Sequence, residues 1–219
     1  MSSSDAHAEE GGLPHHAHHF ESQAQQDGAA RLGMWLFLGT EVLLFAGLFL
    51  GYTVYRHFYH EAFHECSRHL SLVAGTTNTI VLITSSLSVA IAYDAVKKGK
   101  NKVAAALLVF TILCAIGFLG IKSWEYWVKF QVGELPGKWY HFSEVTAPGA
   151  NLYYTIYFLS TGLHAFHVIV GMSVLLWVLK GVVKGKYGPK NYVAVELGGL
   201  YWHLVDLVWI FLFPLLYLI

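Results

Sequence analysis

Residues 31–55, RLGMWLFLGTEVLLFAGLFLGYTVY, decide the fold. From Leu32 to the end of that stretch, 24 residues carry a single formal charge, Glu41. About 20 consecutive apolar residues suffice to cross a bilayer as a helix. Working outward, four more runs of the same kind follow, at 70–93, 103–121 with an aromatic extension to 130, 151–179 and 192–219. None alternates apolar and polar residues with a period of two, so a membrane-spanning barrel does not fit. In hydrocarbon every backbone polar group needs an internal partner, and helices provide one within each segment. The expected fold is therefore an all-α membrane protein, a five-transmembrane-helix bundle over residues 31–219.

Composition supports the same class. Of the 219 residues, 55% are hydrophobic and 13% charged, against a charged share of about a quarter in soluble domains. Fourteen basic residues balance 14 acidic ones, so no global basic field exists to attract nucleic acid. Cys66 and Cys114 lie too far apart in sequence to suggest a metal-ligand motif, and two cysteines make no disulfide framework. Residues 1–30 contain Asp5, Glu9, Glu10, Glu21 and Asp27 but no Lys or Arg, and read as a disordered acidic tail. Its cluster His15, His16, His18 and His19 could scavenge a divalent metal. The tail lacks the basic start and apolar core of a secretory signal, so the first hydrophobic helix is expected to direct insertion.

Charge asymmetry sets the expected orientation. Arg31, Lys97, Lys98, Lys100, Lys102, Lys180, Lys184, Lys186 and Lys190 fall on one side, against Arg56, Arg68, Lys129 and Lys138 on the other. The positive-inside rule then puts the amino terminus in the cytoplasm and the carboxyl terminus outside. Tyr55, Tyr59, Trp124, Tyr126, Trp127, Trp139 and Tyr140 suit an interfacial aromatic belt at the outer boundary. The link 131–150, with Pro136, Gly137, Pro148 and Gly149, is expected to form an external cap.

Depth selects the candidate site. Glu41 lies ten residues past Arg31, about 15 Å along a helix and near the middle of a hydrocarbon core about 30 Å thick. A central acidic residue costs about 2.5 to 3.5 kcal/mol to insert, so Glu41 is expected to be protonated or hydrogen-bonded. His164 and His167 share one helical face at similar depth, and His203 and Asp206 repeat that spacing in the last helix. The five residues are expected in one buried polar layer, isolated from charges above and below. Such a layer can lock helices together, relay protons or ions, or ligate a metal or haem. Lys122 and Glu125 are expected to pair near the outer end of the third helix. Asn78 is expected to hydrogen-bond to a neighbouring helix, and the glycines at 33, 39, 47 and 51 to admit one.

Taken as a set, the motifs resemble haem-copper oxidase subunit III. RLGMWLFLGTEVLLFAGLFLGYTVY is similar to its Glu-bearing helix, and TTNTIVLITSS, with Asn78, resembles the start of the next. WEYW, containing Glu125, resembles the end of the one after that. FLSTGLHAFHVIVGM and ELGGLYWHLVDLVWIFLFPLLYL, with Trp202, resemble the two carboxyl-terminal helices. The resemblance implies a non-catalytic subunit of a proton-pumping cytochrome c oxidase in the bacterial inner membrane. That subunit would carry no haem, copper or catalytic residue of its own, those cofactors residing in partner subunits. It further implies packing on catalytic subunit I beside subunit II and further small membrane subunits, with bound phospholipid. Glu41 would be the buried reactive carboxylate with His167 as its partner, and Asn78, Glu125 and Trp202 would serve lipid or subunit packing. The long form of the family has two more helices at its start, and many members have Gln where Lys122 stands. Quinol oxidase subunit III and a nitric oxide reductase accessory subunit remain alternatives, as does, more distantly, a self-contained transporter.

Overall fold

The computed structural model describes residues 20, 22–137, 140, 145 and 147–219. The described residues form six helices: α1 (Gln23–Phe58), α2 (His60–Arg68), α3 (Leu72–Lys97), α4 (Asn101–Val132), α5 (Ala150–Val183) and α6 (Val193–Tyr217). Five of them, all but α2, are long and apolar enough to cross a membrane. The protein is an all-α membrane protein with five membrane-spanning helices.

Two features differ from the sequence expectation. Helix α1 begins at Gln23, inside the stretch assigned to the tail. The segment QAQQDGAA is made mostly of good helix formers, the Ser22 hydroxyl accepts from the Gln25 amide at 3.2 Å, and Gln23 Nε2 donates to Asp27 Oδ1 at 2.7 Å. The tail histidines 15, 16, 18 and 19 lie outside the described residues. The second difference is α2, an amphipathic helix in the connection between the first two spans. Ala62, Phe63, Cys66 and Ser67 form its buried face, while His60, Glu61, Glu65 and Arg68 are exposed.

The chain divides into units 1–37 and 38–219 within α1. In the second unit, α3 to α6 form up-down neighbours, with short turns between α3 and α4 and between α5 and α6 and a longer connection, 133–149, between α4 and α5. At one end Lys98, Gly99 and Lys100 link α3 to α4, with Gly99 at φ +72°, a conformation that favours glycine. The α5–α6 turn meets this end, since Asn101 Nδ2 donates to the Tyr187 carbonyl at 2.9 Å. Lys97 also lies over the rings of Tyr93 and Tyr192. Lys98, Lys100, Lys184, Lys186 and Lys190 thus share one end of the bundle. At the opposite end Ser67 Oγ donates to the Ile219 carbonyl at 2.8 Å, and Phe63 packs edge-on against Tyr153 at 5.2 Å.

From Leu38 onward, α1 shows the bundle a narrow stripe. Leu38, Phe45 and Tyr52, spaced by seven, are its buried residues, and the Tyr52 hydroxyl donates to the Leu215 carbonyl. Its opposite face, including Leu43 and Leu50, is exposed, and Gly39, Gly47 and Gly51 have open space where a Cβ would stand. The inner helices bury far more. Gly171 admits Trp202, whose ring would lie 3.0 Å from a Cβ there.

Candidate functional site

Glu41 enters from α1 and meets α5. Its Oε2 lies 2.8 Å from His167 Nε2, and His167 Nδ1 lies 2.8 Å from the Leu163 carbonyl one turn earlier on the same helix. A carbonyl only accepts, so Nδ1 carries a proton. The Nε2 contact then holds one further proton, as a carboxylic acid donating to a neutral imidazole or as an imidazolium donating to a carboxylate. Phe45 stands edge-on to the His167 ring at 5.2 Å, and the Tyr201 hydroxyl donates to the His167 carbonyl at 3.4 Å. Apolar and aromatic groups thus screen the pair, whose side chains are 9% and 15% exposed for His167 and Glu41.

The other members of the expected layer are placed differently. His203 Nδ1 lies 2.6 Å from Ser86 Oγ of α3 and faces a groove of about 210 Å³ lined also by Glu196 and Tyr93. His164 is fully buried with its ring against Phe118 at 5.4 Å and Trp209 at 5.2 Å, and neither ring nitrogen makes a hydrogen bond among the described residues. Asp206 is also buried with neither carboxyl oxygen hydrogen-bonded among the described residues. The five residues are therefore not one hydrogen-bonded network. They form two separate contacts, to α1 and α3, and two buried groups without such bonds.

The layer is not isolated either. Lys122 and Glu125, expected to pair near the outer end of their helix, do pair, and both are buried, at 3% and 4% exposure. Lys122 Nζ donates to Glu125 Oε2 at 3.0 Å, to the Tyr157 hydroxyl at 3.0 Å and to the Tyr217 hydroxyl at 2.9 Å. The Tyr217 hydroxyl donates to Glu125 Oε1 at 2.8 Å. All three hydrogens of the ammonium are thus used, and Tyr126, Tyr157, Trp209 and Tyr217 present ring faces to it within 5.5 Å. Further along α4, buried Lys129 pairs with Glu134, while its ammonium lies 5.2 Å from the Tyr154 ring centroid. Positions 122, 125 and 129 fall on one helical face, and this i, i+3, i+7 spacing is the signal that could have exposed the cluster in the sequence. Tyr157 and Tyr217, whose hydroxyls close it, come from α5 and α6 and carry no local signal.

Of the remaining candidates, Trp202 is fully buried and its Nε1–H donates to Ser85 Oγ at 3.0 Å. Asn78 is fully buried, but neither atom of its amide makes the expected hydrogen bond to another helix among the described residues. It is Thr79 that bonds across, accepting from Trp209 Nε1 at 3.0 Å. Among the described residues no group of three or more His, Cys, Asp or Glu side chains is placed to hold a metal ion.

Sequence comparison decides what this arrangement belongs to. The profile described as cytochrome c oxidase subunit III matches residues 9–219. The chain belongs to the cytochrome c oxidase subunit III family. It is 34% identical over 221 residues to cytochrome c oxidase subunit 3 of Alkalihalophilus pseudofirmus, covering 94% of this chain and 93% of that one. Against cytochrome c oxidase subunit 3 of Thermostichus vulcanus the identity is 30% over 192 residues, covering 86% of each. It is also 30% identical over 198 residues to heme-copper oxidase subunit I+III of Aeropyrum pernix, which takes 86% of this chain but 22% of that longer protein. These relatives favour a subunit III of cytochrome c oxidase over the quinol oxidase, nitric oxide reductase and transporter alternatives. As a subunit III the chain is part of a haem-copper oxidoreductase complex of the respiratory chain.

Proposed function

We propose that this subunit III is non-catalytic and stabilises the oxidase by packing on catalytic subunit I, beside subunit II and small membrane subunits, with phospholipid filling the remaining contacts. The observation that carries this reading is the division of labour in the bundle. Its buried ionisable groups are spent within the bundle: Glu41 of α1 meets His167 of α5, Lys122 of α4 bonds to Tyr157 of α5 and Tyr217 of α6 besides its neighbour Glu125, and Lys129 pairs with Glu134 just past the end of α4. The glycine-bearing face of α1 beyond Leu38 is left open. Small residues let a neighbouring helix or acyl chain approach closely. The name of the Aeropyrum pernix relative, subunit I+III, supports proximity of this chain to a subunit I. Haem and copper then reside in the partner subunits, and cytochrome c is the donor named by the relatives.

The lysines gathered at the α3–α4 and α5–α6 turns support a cytoplasmic location for that end in a bacterial inner membrane, with the amino terminus inside and the carboxyl terminus outside. The Glu41–His167 contact serves as a latch holding α1 to α5, and Asn78, Glu125 and Trp202 serve subunit and lipid packing. The test is turnover of the assembled oxidase carrying Glu41→Ala. The initial rate is expected to stay close to wild type while activity decays sooner during sustained turnover or subunit III is lost on purification. Immediate loss of turnover in an intact complex would contradict a non-catalytic role.

A further inference from the structure

We propose that α2 carries a surface chelate for a divalent metal of the zinc and copper class, formed by His60 and His64. These two histidines are four residues apart on one helix, a spacing that puts their side chains on the same face. Their rings are already nearly parallel, with centroids 6.4 Å apart and planes 9° apart. Imidazole nitrogens hold zinc at about 2.0 to 2.1 Å, so ring rotation within this register brings one nitrogen of each onto a shared ion. His60 is exposed and His64 half-buried, leaving the mouth of the pair open to solvent.

The support beneath the pair is rigid, which lowers the ordering cost of chelation. Phe63 and Cys66 are fully buried, Phe63 packs on Tyr52 and Tyr153, and the Ser67 hydroxyl ties the helix to the Ile219 carbonyl. Just before His60, the Tyr59 ring lies so close to Gly149 that a Cβ there would stand 2.6 Å from it. Gly149 has φ +100°, so glycine both permits this turn and lets the loop press on Tyr59. On the other side of His60 from His64, a cavity of about 430 Å³ is lined by His57, His60 and Glu61 but not by His64, and it gives water and the Glu61 carboxylate access to His60. Imidazole suits zinc and copper, whereas magnesium and calcium prefer oxygen ligands.

The test uses the purified full-length chain, with whatever subunits accompany it. His7, His15, His16, His18 and His19 are changed to Asn so that the tail does not compete. Added Zn2+ is followed by equilibrium dialysis, and X-ray absorption at the zinc edge reads the ligands. The expected result is one zinc equivalent with two imidazole nitrogens in its shell, lost in His60→Ala/His64→Ala and kept in Glu65→Gln, with no matching uptake of Mg2+. Equal zinc uptake by the double alanine variant, or a shell of oxygen atoms alone, overturns the proposal. Because the pair is on the helix surface, circular dichroism of His60→Gln/His64→Gln is expected to match wild type, separating loss of ligands from loss of folding.

Discussion

The layer around Glu41 and the cluster around Lys122 solve the same problem, charge in an apolar bundle, in different ways. The Lys122 cluster is closed: one ammonium, one carboxylate and two phenols use one another's hydrogen-bonding capacity, and aromatic faces fill the rest. The Glu41 layer is open: Glu41 and His203 each reach one side-chain partner, while His164 and Asp206 make no hydrogen bond among the described residues. The closed cluster binds α4, α5 and α6 together, whereas the Glu41–His167 contact attaches the sparsely buried α1. The difference teaches that the bundle's interior and its attachment to α1 rest on separate devices, which mutations can address separately.

The largest effect is expected from breaking the closed cluster on one side. Glu125→Ala leaves a buried ammonium without its counter-charge, and such half-removed pairs cost about 3 to 5 kcal/mol. Thermal unfolding in mild detergent checks this, and Lys122→Met/Glu125→Leu is expected to recover most of the loss. If the double variant is no better than the single one, the ion pair is not what holds the cluster. Lys129→Gln is expected to loosen the same region beside α2. Burial pushes the Cys66 thiol up to about 12, with the Glu134 charge adding to the rise. Since the thiolate is the reactive form, Cys66 is slow to alkylate near neutral pH; the Lys129 charge lowers the thiol's pKa, so its loss alone would slow labelling, and faster labelling in Lys129→Gln therefore reports the loosening.

Smaller effects are expected in the open layer. Glu41→Ala removes the partner of a buried imidazole and is expected to cost about 1 to 3 kcal/mol. Glu41→Gln is expected to cost less, since its amide still offers a donor and an acceptor. Retention of this chain in the purified complex reads both. Trp202→Phe keeps most of the ring but deletes the bond to Ser85, for about 0.5 to 1.5 kcal/mol. Asp206→Asn is expected to change stability least, under about 1 kcal/mol, because it deletes no hydrogen bond among those described. A large loss in Asp206→Asn would show that the carboxylate is engaged and that the layer is less open than its geometry indicates.

The sequence made the five spans legible because each is a long apolar run, a signal that depends on composition alone. Depth counting likewise brought Glu41 and His167 to one level. It could not say which residues at that level touch, because contact depends on the rotation of each helix about its axis. That is why His203 meets Ser86 rather than Glu41, and why Thr79 rather than Asn78 bonds across the bundle. Helix α2 escaped because it is short and polar on one face, with an apolar face that is recognisable only once Tyr52 and Tyr153 lie against it. The spacing of Lys122 and Glu125 reveals their pairing but not how deeply the pair is buried. Its burial depends on Tyr157 and Tyr217, which are distant in sequence.

The most direct test of the account is purification of this chain through an affinity tag in mild detergent, with an optical spectrum and metal analysis of what comes with it. The account predicts a coloured complex in which the chain is accompanied by a large haem- and copper-bearing subunit, and a reduced yield of that complex from Glu41→Ala. A chain that isolates alone, colourless and stable, from membranes containing an active oxidase would contradict it.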